Sequence, residues 1–242
     1  MISVFKKEVA GFLNSLIAYI VVSVFLTGIG LLMWVFPQTN LLDYGFADME
    51  SLFGLAPYVF MFLIPAICMK FFAEERKSGT MELLFTRPLT DYQVIFGKYL
   101  AGFFLVVFSL VPTLIYYYSV YELGNPRGNL DSAGIAGSYI GLLLLGSFFT
   151  ALGVLASSLT ENQIVAFILG AFLCFIWYDG IDALSQMDLV DGAGHQIERL
   201  GVVYHYNSLS RGLMDSRDIM YFVSITTATL LLTKLVIGSR KW

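Results

Sequence analysis

The chain has 242 residues, of which 57% are hydrophobic and 13% charged, with a formal net charge of −4. Soluble domains carry roughly a quarter charged residues, and the mean hydropathy of +0.75 sets this chain apart from them, so the composition is that of a membrane protein and no nucleic-acid partner is expected. The two cysteines, Cys68 and Cys174, lie inside apolar runs and read as small buried thiols rather than a disulfide or metal pair.

At the N-terminus, Lys6, Lys7 and Glu8 stand among Ile2, Phe5, Val9 and Phe12, which share one helical face. Two readings stay open, a short helix lying along the membrane surface or a basic flank to the first span. The apolar run Leu13–Phe36 is longer than the core of a signal peptide, and no A-x-A site follows it. Apolar runs predict six spans at about 13–36, 53–73, 94–121, 134–158, 162–184 and 218–238, each with the roughly 20 residues a helix needs to cross. Pro57 and Pro65 mark the second, and Pro112 is placed to kink the third. Trp34, Tyr116, Tyr117, Tyr118, Trp177, Tyr178 and Tyr221 cluster at predicted ends as an interfacial belt. The expected fold is all-α, a single transmembrane domain over residues 1–242.

Between the second and third spans, Glu74–Lys98 forms a charged island holding Arg76, Lys77, Arg87 and Lys98, with Lys70 just ahead. Such a segment cannot lie in hydrocarbon and must face water. Six spans put both termini on the island's side. That side collects ten of the fourteen basic residues, and the other side twelve of the eighteen acids. The positive-inside rule makes the island's side cytoplasmic, with both termini inside.

Of the outward segments, 37–52 and 122–133 are short and 185–217 is the longest. Val202–Arg217 reads either as a helix packed on the outer mouth of the spans or as a solvated loop. Asp179 and Asp182 share a helical face at the outer end of the fifth span. With His205 and Arg211 they are candidates to line the mouth of a pathway, the plainer reading being hydrated residues where a helix leaves the bilayer. Gly137 and Gly141 form a GxxxG pair that allows close helix approach, either between subunits or within the chain.

Chemistry of the chain's own is not expected. Gly97-Lys98 is followed by Tyr99 where a P-loop has Ser or Thr, and position 92 is Tyr rather than Gly. No soluble block is long enough for a nucleotide-binding domain. His195 and His205 lack the spacing of a helical zinc site, and no nucleophile stands beside a base. Lys234 is placed to snorkel at the end of the last span. No cofactor is expected on this chain; ATP and Mg would be bound by a partner.

Several stretches, taken together, resemble the ABC-2 class of ABC-transporter permeases. The strongest is Ala73-Glu74-Glu75-Arg76-Lys77-Ser78-Gly79-Thr80-Met81-Glu82-Leu83-Leu84-Phe85-Thr86-Arg87-Pro88-Leu89-Thr90, followed by Gly97-Lys98-Tyr99-Leu100. Lys6-Lys7-Glu8 leading into Ile17-Ala18-Tyr19-Ile20, and Ser210-Arg211-Gly212-Leu213-Met214-Asp215, are similar to the class's entry and outer segment. Within the class, Asn40–Gly45, Tyr116–Tyr121 and Ser157–Phe167 resemble the gliding-motility-associated permease subunits of Bacteroidetes. The resemblance implies a membrane subunit working with a separate ATPase and a second permease or companion membrane protein.

It also gives the island a role. A short helix over Gly79–Phe85, capped by Ser78 and stopped by Pro88, would present Met81, Leu84 and Phe85 to a groove on the ATPase. Residues 74–93 are then the coupling segment, with Glu74, Glu75, Arg76, Gly79, Thr80, Glu82, Leu83, Leu84, Arg87 and Pro88 as its expected contacts. The turn 158–162 would be a second, smaller contact. The alternative holds the island on anionic membrane lipids through Lys77 and Arg87. Other readings of the chain are a non-transporting scaffold and an exporter of a copper-processing factor, a lipid or an antibiotic. Intramembrane hydroxyls such as Ser109, Thr113, Thr150 and Thr229 point to a hydrophobic or amphipathic cargo, or else serve helix backbones.

Overall fold

The computed structural model describes residues 1–37, 39–44, 48–81, 90–186, 194–212 and 215–239, and among them the regular structure is helical. Helix α1 (Ile2–Leu13) is followed by α2 (Leu16–Trp34), which it meets at a 69° bend. Five further helical stretches are long and apolar enough to cross a membrane, and the bent N-terminal pair, taken as one span, brings the number to six. The chain is a multi-pass membrane protein.

Helix α3 (Glu50–Cys68) contains both Pro57 and Pro65, yet breaks only after Cys68. Four residues of turn then lead to α4 (Ala73–Lys77), so the helix expected at 53–73 starts earlier, at Glu50, and ends at Cys68, with α4 set apart beyond the turn. The third span is α5 (Asp91–Leu110) and α6 (Leu114–Leu123), joined by a 3-10 turn at Val111–Thr113. Pro112 causes this break, because it has no N–H to continue the helix. Helix α7 (Ser132–Leu159) is the longest. The fifth span is not continuous either: α8 (Gln163–Phe175) widens into a π turn at Ile176–Gly180 before α9 (Ile181–Ser185). Helix α10 (Val202–Ser210) makes the first part of Val202–Arg217 helix rather than loop, burying Val202, Tyr206 and Leu209. Helix α11 (Ser216–Gly238) is the last.

Side chains fix the starts. Thr90 and Gln93 form a reciprocal capping box on α5, and Asp131, Asn162 and Asp215 each accept a backbone N–H from the first turn of α7, α8 and α11. Each cap meets donors that a helix cannot satisfy internally.

Helix α7 is the axis of the bundle, packed against α3, α5, α8, α10 and α11. Its apolar window is 72% buried, against 22% in the α8–α9 span and in α11, which turn most of their surface outward. Close packing rests on glycine. A Cβ on Gly153 would lie 2.8 Å from Cys68 Cβ, one on Gly146 2.8 Å from Val106 Cγ1, and one on Gly137 2.7 Å from the Leu209 carbonyl oxygen. Lipid offers no hydrophobic drive for helix association, so backbones must come close enough for dispersion contacts. The intramembrane hydroxyls follow suit. Ser109, Thr113, Thr150, Ser224, Thr227 and Thr229 donate to carbonyls three or four residues back in their own helices, which removes much of their weight as signs of a cargo path.

Candidate functional site

Two charged residues of the island, Glu75 and Lys98, meet Lys7 and Glu8 of α1 at one end of the bundle. Lys98 has no exposed side-chain surface, although it sits on an apolar helix. Its Nζ donates to Glu8 Oε1 of α1 at 2.7 Å and to the Phe71 carbonyl at 2.5 Å, and lies 3.0 Å from Glu75 Oε1 of α4. The Phe72 ring adds a cation–π contact at 5.1 Å. Lys7 of α1 closes the cluster, donating to Glu75 Oε1 at 2.6 Å. Two lysines thus meet two carboxylates, and charge balance is what makes the burial tolerable. Gly97 allows the approach, since a Cβ there would stand 3.1 Å from the Met1 carbonyl and from Val4 Cβ.

A second brace comes from α7. Ser157 Oγ accepts the N–H groups of Phe72 and Ala73 at 2.9 and 3.2 Å and donates to the Met69 carbonyl at 3.2 Å. The break after α3 is therefore capped from another helix, and α4 is held by α1, α5 and α7 together.

At the end of α4, Ser78 Oγ donates to the Glu74 carbonyl at 2.8 Å, and Gly79 takes a left-handed φ of +68° that ends the helix. Helical backbone resumes at Thr80 and Met81. Of the expected coupling residues, Glu74, Gly79 and Thr80 are exposed and Arg76 partly so, whereas Glu75 turns inward and is 7% exposed. Glu82, Leu83, Leu84, Arg87 and Pro88 lie outside the described residues. Lys234 does not merely snorkel, for its Nζ donates to the Tyr92 hydroxyl at 2.7 Å and sits 4.0 Å from the ring centroid, tying α11 to the start of α5.

The four candidates for an outer mouth separate into three settings. Asp179 receives a long 3.5 Å contact from the Tyr58 hydroxyl, while Asp182 accepts from Gln186 at 2.9 Å. His205 is clamped: Nδ1 is 2.6 Å from Asp218 Oδ1, Nε2 is 2.9 Å from the Arg199 carbonyl, and Tyr221 stacks on the ring at 3.9 Å. A carbonyl only accepts, so Nε2 is the donor there. Arg211 lines a cavity of about 620 Å³ shared by Asp48, Glu50, Asp131 and Asn207. Between these settings, Tyr206 donates to the Phe53 carbonyl at 2.7 Å, and burial holds its phenol well above the usual range so that it stays a donor. Gly137 and Gly141 face Leu209, Gly212 and Tyr206 of this same chain, so the GxxxG pair seats α10 on α7.

Sequence reasoning counted Lys98 as the edge of a solvated island. The signal for its burial is periodicity: Val94, Ile95, Ala101 and Leu105 lie on the same helical face and are buried. A lysine on that face needs partners. Ser157 carried no such signal, because its acceptors and donors are more than 80 residues away.

Residues 36–178, more than half of the chain, match the family described as "ABC-2 family transporter protein". The chain belongs to the ABC-2 transporter family. The match takes in Glu75, Lys98 and Ser157, while Lys7 and Glu8 lie ahead of it. The protein named "Probable multidrug ABC transporter permease YbhR" in Escherichia coli strain K12 is 26% identical over 132 residues, covering 54% of this ABC-2 chain and 33% of that relative. The protein of the same name in Escherichia coli O157:H7 matches to the same extent. The aligned stretch thus spans about a third of these relatives' length.

Proposed function

We propose that this ABC-2 chain is the membrane-spanning subunit of an ATP-driven transporter, worked by a separate ATPase that docks on the end carrying α4. The observation that carries this reading is the anchorage of α4 by buried ion pairs to α1 and α5 and by Ser157 to α7. A partner moves membrane helices only through a contact that does not give way. Here a push on the exposed Glu74, Lys77 and Thr80 reaches three helices at once, including the axis of the bundle. Glu75 holds the contact from within. Glu82, Leu83, Leu84, Arg87 and Pro88 complete the docking surface in this reading, with the 158–162 turn beside it.

The charge asymmetry supports a cytoplasmic position for this end and for both termini. Two such chains, or this one with a companion permease, enclose a path whose access alternates by rocking of helix groups as the ATPases close. Likeness of Asn40–Gly45, Tyr116–Tyr121 and Ser157–Phe167 to gliding-motility permeases supports a place in such a motility complex. The multidrug name of the Escherichia coli relatives supports a second reading, export of small amphipathic molecules.

The test is whether an adjacent reading frame encodes an ATPase with an intact P-loop that copurifies with this chain, together with its ATP hydrolysis. Reversing two exposed charges, Glu74→Lys with Lys77→Glu, is expected to weaken association roughly tenfold or more while membrane insertion is kept. Association and hydrolysis unchanged in that variant would refute docking at this end. Deleting the gene separates the cargo readings: loss of surface spreading with normal dye efflux supports motility, and the reverse supports export.

A further inference from the structure

We propose that the cavity between α1 and the α3–α4 break binds the headgroup of an ethanolamine phospholipid. This goes beyond ATPase docking and does not rest on it. The cavity holds about 400 Å³, within the roughly 300–1,000 Å³ of small-molecule sites. One wall is apolar, with Phe12 and Ile67, and the other is charged, with Lys7, Lys70, Glu74 and Glu75.

Three features choose the ligand. First, Glu75 Oε1 takes both lysines of the buried cluster, but Glu75 Oε2 is buried with no hydrogen-bond partner among the described residues. A sealed carboxylate oxygen without a donor is costly, and an ammonium N–H is the donor it lacks. Second, Lys70 lines the same cavity and makes no ion pair among the described residues, leaving a cation for a phosphate. Third, the cavity stands where apolar and charged sequence meet, as a headgroup site requires. It opens at the bend where α1 turns by 69° toward the following helix and where the apolar sequence of α3 gives way to Lys70, with Phe12 and Ile67 leading toward the acyl region. Ammonium, phosphate and apolar tail thus each find a matching wall. Choline has no N–H to give Glu75. A purely anionic headgroup has no ammonium to give Glu75 Oε2 and meets the exposed carboxylate of Glu74.

Native mass spectrometry of the full chain, loaded in turn with phosphatidylethanolamine, phosphatidylcholine and phosphatidylglycerol, tests this. Phosphatidylethanolamine is expected to survive detergent stripping roughly tenfold better than the other two, the ratio of one charge-assisted hydrogen bond. Lys70→Ala, at a residue outside the ion cluster, should lower that retention by about the same factor, with the melting temperature of the lipid-free protein unchanged, and Lys70→Arg should restore it. Glu75→Gln should abolish the preference for ethanolamine over choline. Equal retention of the three lipids, stronger retention of phosphatidylglycerol, or a preference indifferent to Lys70→Ala would overturn the proposal. So would equal thermal protection by soluble glycerophosphoethanolamine, which would assign the site to a free headgroup rather than a lipid.

Discussion

Lys98 is the residue on which the charged end depends. Its ammonium has three oxygen neighbours and no exposed surface, so removing it leaves Glu8 and Glu75 to share Lys7 alone, one negative charge in excess. Lys98→Met should therefore cost about 3–5 kcal/mol, read as a fall in thermal stability of the purified protein in detergent. Adding Glu8→Gln removes that excess and leaves Lys7 paired with Glu75, and the double variant should recover most of that loss. Losses that simply accumulate would show that the four charges do not act as a unit. Ser157 is the smaller brace. Ser157→Ala strips an acceptor from two buried N–H groups and should cost roughly 1–3 kcal/mol, whereas Ser158→Ala next to it, which returns its hydroxyl to Leu155, should cost less in the same melt.

At the level of elements, α7 decides the packing and glycine decides α7. Gly137→Ala would set a Cβ 2.7 Å from the Leu209 carbonyl, and backbone cannot swing aside. We expect a destabilisation of roughly 1–3 kcal/mol and easier proteolysis at α10. Gly28→Ala on α2, where a Cβ meets nothing within 4 Å, should be neutral or stabilising by up to about 1 kcal/mol. The spans themselves were legible in the sequence because hydropathy and the Pro112 signal are local properties. Breaks at the α3–α4 turn and the π turn were not, since no proline marks them and the first is stabilised by a serine from a distant helix. The GxxxG pair was visible, but its partner was not. Small residues say that something comes close, not what, and here it is α10. His205 was likewise legible as a polar residue, while its partner Asp218 stands 13 residues on, across the turn into α11.

For the whole molecule, composition and charge asymmetry gave membrane class and a sidedness, and family membership agrees with the first. What they leave to experiment is which end is driven. The structure concentrates buried ion pairs and a cross-helix cap at the α4 end, whereas the opposite end carries separate polar pairs around α10 and an open acidic cavity. The first arrangement suits transmission of force and the second suits local rearrangement. A sided labelling experiment follows. A single cysteine at Thr80 should react with a membrane-impermeant maleimide only after the membrane is opened, and one at Arg127 should react in intact cells. The most direct test of the central claim is photocrosslinking in living cells from a benzophenone residue placed at Lys77 or at Arg127. The account predicts a crosslinked ATPase subunit from position 77 and none from position 127. Crosslinks to the ATPase from 127 and not from 77, or to no ATPase from either, would contradict it.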